Sequence, residues 1–270
     1  MGRAQAGQKG AGGTGDTYET HVSGIRILPG QWRPHYPWEH IVWISPPWPS
    51  QDYLWLDFPE AIFTDKGLIF LSHINPKIPS VYPELPRVSW QEIPNGLEFK
   101  RILPNEVSFG GRVTRSGDNA VDLALRIRIG SGEKLGSITL QTCAFLRAIK
   151  EFGDFTTDNK FLHTRESGWV SFPQAAAIER PTGRYGLGWR SREKPVADLP
   201  AIVTVSNAAP RLVAMTWFED TLSMVSNPRH PCMHADPQFP DLSPGEEAFI
   251  KGKLIFFEGK LEEFTPDLGP

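Results

Sequence analysis

The sequence predicts an all-β protein: a large antiparallel two-sheet β-sandwich, with little helix. Three observations predict it. Short apolar runs recur along the chain, parted by turn residues about every ten positions. The 270 residues include 25 Gly and 25 Pro, more than the typical usages of roughly 7% and 5%, and both are spread along the chain. Residues 121–129 alternate Val121, Leu123, Leu125, Ile127 and Ile129 with Asp122, Ala124, Arg126 and Arg128. That is the period of two expected of a strand with one wet face.

In order, residues 1–16 are Gly- and Ala-rich without periodicity and read as a flexible tail. Residues 17–270 then read as a single sandwich domain, because no linker-like change of composition divides them. Strands are expected at 21–28, 41–44 and 67–73. Between them lies a block containing Trp32, Trp38, Trp43, Trp48 and Trp55. Its prolines exclude helix, and apart from short strand pieces it is expected as ordered loop. Further strands are expected at 97–103, 107–114 and 121–129, the last pairing with 137–143. Helix is credible only near 144–152. A strand–turn–strand unit follows at 160–172, then a Gly/Arg-rich loop at 179–194, strands at 201–206 and 212–217, and a closing strand at 247–258. The Ser-Pro-Gly-Glu run at 243–246 has Pro and Gly where a type II turn places them.

The bulk numbers exclude several classes. The formal net charge is −3 with no long basic run, so no nucleic-acid partner is expected. No stretch of about 18 apolar residues exists, so no membrane partner is expected. There is no phosphate loop and no GxSxG elbow, hence no expected nucleotide cofactor. Cys143 and Cys232 permit one disulfide at most. Residues 1–15 contain no apolar signal-like run, which leaves the cytoplasm open, and the periplasm or exterior if a signal was removed.

Three constellations carry chemistry. The first is His230, Cys232, His234 and Asp236 on a proline-stiffened segment read as a loop. Imidazole, thiolate and carboxylate suit a divalent metal (Zn, Ca or Mn) or an acid–base pair. His73 and His163 end strand-like runs and would complete a metal set with His230 and His234. His230, His234 and Asp236 are the expected catalytic groups. The bland alternative is a loop whose polar groups bond their own backbone. The second is the aromatic and acidic block, where Trp48 and Trp55 would stack on a sugar and Asp57 and Glu60 would accept its hydroxyls or act as a base. The alternative is a Trp-rich core. The third is the Gly-rich loop, where Arg184 and Arg190 would grip an acidic sugar and Tyr185, beside arginines, would serve as a base. The alternative is a solvated charged loop. Cys143, inside LQTCAFL, reads as packing.

Two blocks then carry a resemblance: SPPWPSQDYLWLDFPEAIF at 45–63, and NPRHPCMHADPQFPDLSPGE with a closing GKLIFFEG at 227–259. Together they resemble an uncharacterised family of bacterial β-sandwich proteins common in polysaccharide-degrading bacteria, over most of the chain after the tail. The PGE turn before a last strand is also similar to the endings of galactose-mutarotase-like supersandwich domains. That second likeness implies a two-sheet body binding a sugar on a concave face, and transfers no catalytic residue. The expectation is a carbohydrate-active enzyme (lyase, epimerase or hydrolase chemistry) acting on a mono- or oligosaccharide. The alternative is a non-catalytic carbohydrate-binding sandwich.

Overall fold

The structure, a computed structural model, describes residues 23–266 apart from 32–37, 51, 74–80, 83, 131, 147, 154–158, 180–185, 189–196 and 228–229; at 176–179, 186–188, 227 and 230–231 the backbone alone is described. Two antiparallel sheets face each other. The strands are β1 (Ile27–Pro29), β2 (Ile41–Ile44), β3 (Leu54–Thr64), β4 (Gly67–Leu71), β5 (Gln91–Ile93), β6 (Gly96–Ile102), β7 (Ser108–Ser116), β8 (Ala120–Arg128) and β9 (Thr139–Phe145). They continue with β10 (Lys160–Thr164), β11 (Gly168–Ser171), β12 (Gly186–Gly188), β13 (Ala201–Val205), β14 (Arg211–Thr216), β15 (Thr221–Asn227), β16 (His230–Pro237) and β17 (Glu247–Glu258). One short helix, α1 (Phe172–Glu179), follows β11.

The first sheet runs β1–β2–β3–β9–β16–β15–β12, with β4 added to the edge of β3. The second runs β11–β10–β13–β14–β17–β8–β7–β6–β5. The apolar faces meet between them. Leu54, Leu56, Phe58 and Ile62 of β3 and Met233 and Ala235 of β16 share one core with Leu97, Val113, Leu123 and Leu254 of the second sheet.

The strand read from its alternation, at 121–129, has one wet face as expected. The expected segments at 97–103, 107–114, 121–129, 201–206, 212–217 and 247–258 all overlap strands of the second sheet. The turn at 243–246 has Gly245 at φ +86° and a bond from the Glu246 N–H to the Ser243 carbonyl, as a type II turn requires.

Six expectations need correction. The α-helix lies at Phe172–Glu179, away from the one place where helix was expected, and β12 (Gly186–Gly188) lies within the expected loop at 179–194. Residues 54–64, expected as mostly ordered loop, form an eleven-residue strand. Residues 230–237, expected as loop, form β16 between β9 and β15. The segment expected to pair with 121–129 is β9, which instead pairs with β3 and β16. The partners of β8 are β7 and β17. Residues 144–152, expected as helix, hold the end of β9 and a single 3₁₀ turn at Lys150–Phe152.

Candidate functional site

The site is built on the face of the first sheet that points away from the core. On β3, Leu54, Leu56 and Phe58 join the core, so Trp55 and Asp57 point outward by the period of two. On β9 the outward set is Gln141, Cys143 and Phe145. On β16 it is Cys232, His234 and Asp236, because Met233 and Ala235 point inward. The register aligns these side chains in two rows across the strands. Trp43, Trp55, Phe145 and Cys232 stand opposite one another in turn. Two residues along, Asp57, Cys143 and His234 form a second row.

Glu60 joins the second row because of an irregularity. Asp57 pairs with Cys143 and Ala61 with Gln141, so four steps on β3 match two on β9. Strict alternation would turn Asp57 and Glu60 to opposite faces. The slip through Phe58 and Pro59 brings both to the same face. Just beyond β4, Ser72 and His73 return to the same place.

These groups form one polar network. The Ser72 hydroxyl donates to Asp57 Oδ2 at 2.7 Å and lies 3.3 Å from His73 Nδ1. Glu60 stands between two imidazoles: Oε1 is 3.8 Å from His73 Nδ1 and Oε2 is 3.9 Å from His234 Nδ1. Asp236 Oδ1 is also 3.9 Å from His234 Nδ1. It is held there by the Thr142 N–H at 3.1 Å, while the Ser223 hydroxyl donates to Oδ2 at 3.4 Å. Gln141 Nε2 lies 3.4 Å from His234 Nδ1. On the far side of the ring, His234 Nε2 is 3.3 Å from Cys232 Sγ. Glu60 and His73 retain partial exposure of their side chains, 18% and 17%, whereas His234 is shut in at 6%.

Burial dominates the electrostatics. Burial alone would push the His234 imidazole down, but the Cys232 sulfur, Asp236 and Glu60 outweigh it and carry it up to about 10. Burial raises the Asp236 carboxyl to about 6, against the pull of His234 and the Thr142 N–H. The Cys143 thiol is pushed well up by its hydrogen bond with Cys232 and by burial. The surrounding sulfur and carboxylates thus favour the protonated form of the His234 ring.

The structure brings some of the expected residues together and separates others. His234, Asp236, Asp57, Glu60, His73 and Trp55 share the outward face of the first sheet. Trp48 does not: it is 3% exposed, inside the core. It packs against Phe152 and Phe256, lies under the Arg211 guanidinium, and donates through Nε1 to Glu151. No ring face is left there for a sugar. His163 sits on the outer face of the second sheet, the opposite side of the sandwich, with Nδ1 2.6 Å from Asp198 Oδ1. It lines a cavity of about 720 Å³ there with Trp169 and Phe264. It cannot join His73 and His234 around one ion. Tyr185, Arg184 and Arg190 lie outside the described residues, as does the His230 side chain.

The sequence reading missed Ser72, Gln141, Cys143 and Phe145. The last three follow each other at every second position of β9, so a strict period-two reading of LQTCAF would have put them on one face.

Comparison with solved structures finds distant likenesses of fold. The fold is similar to a putative aldose 1-epimerase from Escherichia coli K12, with a TM-score of 0.47 and 8% identity, covering 87% of this chain and 100% of that one. It is similar also to galactose 1-epimerase from Lactobacillus acidophilus NCFM, with a TM-score of 0.41 and 9% identity, covering 88% and 100%. No protein-family model matches the chain, and no curated protein matches it in sequence.

Proposed function

We propose that this chain is a carbohydrate-active enzyme that moves protons on a mono- or oligosaccharide over the outward face of its first sheet. One observation carries the reading: the Glu60 carboxylate stands between the His73 and His234 imidazoles, beside a row of aromatic rings. A sugar needs both surfaces. Its C–H faces stack on aromatic rings, and its hydroxyls call for charged hydrogen-bond partners.

The roles follow from exposure and charge. Glu60 is partly exposed and serves as the general base, taking a proton from a sugar hydroxyl or from a carbon beside a carbonyl. His73, also partly exposed, returns a proton from the other side of that carboxylate. His234, enclosed beside it, lies 3.9 Å from the other carboxylate oxygen of Glu60 and fixes where that group stands. Separations of 3.8 and 3.9 Å exceed a direct hydrogen bond, as is common before substrate draws an acid–base pair together. Asp57, buried and fixed by Ser72, orders the polar network behind Glu60. The reaction class is epimerisation, elimination or hydrolysis.

The alternative, non-catalytic sugar binding, draws on the half-buried rings of Trp43 and Trp55 in that row. One experiment separates the two. Purified protein is incubated with reducing sugars and acidic and neutral oligosaccharides in deuterated buffer, and NMR follows anomer exchange, C–H exchange and bond cleavage. Turnover is expected to fall about 10²–10⁴-fold in Glu60→Gln, the usual worth of a positioned base. Equal turnover in that variant removes Glu60 from the mechanism. Saturable binding without any product, lost in Trp55→Ala, selects the binding module.

A further inference from the structure

We infer that Cys143, Cys232 and His234 form a three-ligand site for a thiophilic divalent ion of the zinc class. The inference stands apart from the sugar reading, because metal uptake is measured without turnover.

The geometry is that of a ligand set. One ligand atom from each of the three residues lies within 4.8 Å of the other two, and all three residues are buried. A tetrahedral zinc with bonds of about 2.3 Å to sulfur and about 2.05 Å to nitrogen needs ligand–ligand edges of roughly 3.5–3.8 Å. Cys232 Sγ and His234 Nε2 are 3.3 Å apart, so small side-chain rotations admit the ion. The backbone is already in place. Cys143 stands directly opposite His234 across two adjacent strands, and Cys232 lies two residues along on the same face. Ligands on paired central strands are held more firmly than ligands on loops.

The surroundings supply the second requirement. A histidine that binds a metal through one ring nitrogen usually presents the other to a carboxylate or amide, which fixes the ring. His234 turns Nε2 to sulfur and Nδ1 to Glu60, Asp236 and Gln141. Asp236 is itself anchored by Thr142 and Ser223. Two sulfurs and three carboxylates, those of Asp57, Glu60 and Asp236, crowd one side of the sheet. Binding a divalent ion there would release the thiol protons, as thiolate ligands require.

The donor set selects the ion. Calcium and manganese prefer all-oxygen shells, whereas two sulfurs and an imidazole suit zinc. A disulfide is the competing use of two buried thiols, but these lie diagonally rather than opposite one another in the ladder: Cys232 faces Phe145, and Cys143 faces His234. Three protein ligands leave a fourth place, which in such sites takes water or a substrate oxygen.

The test uses the full chain, purified under reducing conditions and stripped with a chelator. Zn²⁺ and Co²⁺ are titrated in, with metal content read by mass spectrometry and the cobalt form by absorbance. The expected result is one equivalent per chain, with thiolate-to-cobalt charge-transfer bands and the intense visible bands of a tetrahedral ion. Cys143→Ser and Cys232→Ser should each weaken uptake and roughly halve the charge-transfer intensity per bound cobalt, and the double variant should lose those bands. Asp236→Asn should weaken uptake about 10–100-fold, the usual cost of losing a group behind a metal ligand. Should the cysteine variants fail to fold, zinc protection of the wild-type thiols against alkylation gives the same reading. Wild-type protein that takes up neither ion at micromolar concentration overturns the inference. So does cobalt bound without a sulfur charge-transfer band, or a Cys143–Cys232 disulfide in the protein as isolated.

Discussion

At the scale of single residues, buried histidines divide into two kinds according to their neighbours. His234 has sulfur and carboxylates around it, which favour its protonated form. His40 is fully buried against Phe99, with ring centroids 3.8 Å apart, and its Nε2 accepts from Arg101 Nε at 2.9 Å. Burial and the Arg101 charge hold it well below the usual imidazole range. Arg101 itself is lowered to about 10 by burial. A neutral folded His40 against an unfolded group near 6.5 means that the unfolded chain binds the extra proton on acidification. Stability from this residue is complete above about pH 6.5 and declines as pH falls from there toward the folded value. Urea midpoints measured from pH 8 to pH 5 should fall below pH 6.5, and His40→Gln should flatten that slope. Equal slopes would show that the acid sensitivity arises elsewhere. His40 was not singled out from the sequence. It precedes a four-residue strand, and only the fold reveals that it points inward.

At the scale of elements, the strands that carry the site were the ones least visible in the sequence. β3 contains Pro59 and an outward Asp57 and Glu60; β16 contains Pro231, Pro237, His234 and Asp236. Both of their faces are buried, so neither shows the contrast of apolar and polar positions that exposed β8 and β17 show. Their polar residues face one another instead of water, and sequence alone cannot distinguish that from a loop. The chemical content was legible, since His234, Asp236, Asp57 and Glu60 were all named from residue type. Their common location depends on a pairing of β3, β9 and β16 that spans much of the chain. The same three strands are tied from beneath by Trp217. Its ring is fully buried and stacked on Phe58, with centroids 5.9 Å apart. Its Nε1 donates to the Ala235 carbonyl at 2.8 Å and is 3.3 Å from Thr142 Oγ1. Trp217→Phe keeps the stack and removes the donor. The Thr142 hydroxyl still donates to that carbonyl at 2.7 Å, so the change should cost about 0.5–1.5 kcal/mol in denaturant unfolding, the usual net worth of one hydrogen bond. A change inside experimental error would mean that the Thr142 hydroxyl alone satisfies that carbonyl.

At the scale of the whole molecule, the second sheet is shaped to receive the aromatic layer under the site. A Cβ on Gly111 would lie 2.5 Å from the Phe58 ring, and one on Gly252 would lie 2.7 Å from the Trp217 ring and 2.5 Å from the Thr216 carbonyl. Both glycines serve as clearance for large rings. Gly111→Ala should therefore destabilise by about 1–3 kcal/mol, as overpacking does. It should also weaken turnover or metal uptake, because Phe58 directly follows Asp57. Thermal unfolding together with the cobalt spectrum checks both. A destabilised protein with an unchanged spectrum would show that the strain stays in the core.

The slip between β3 and β9 has a consequence for how this segment can vary. Between Asp57 and Ala61 the chain carries two more residues than the facing stretch of β9, an even excess, so Ala61 and Ile62 keep the facing of an unbroken strand. A single-residue loss or gain there must be absorbed within the slip or it reverses the facing of all that follows, turning Ile62 out of the core. A change of two residues leaves that facing intact.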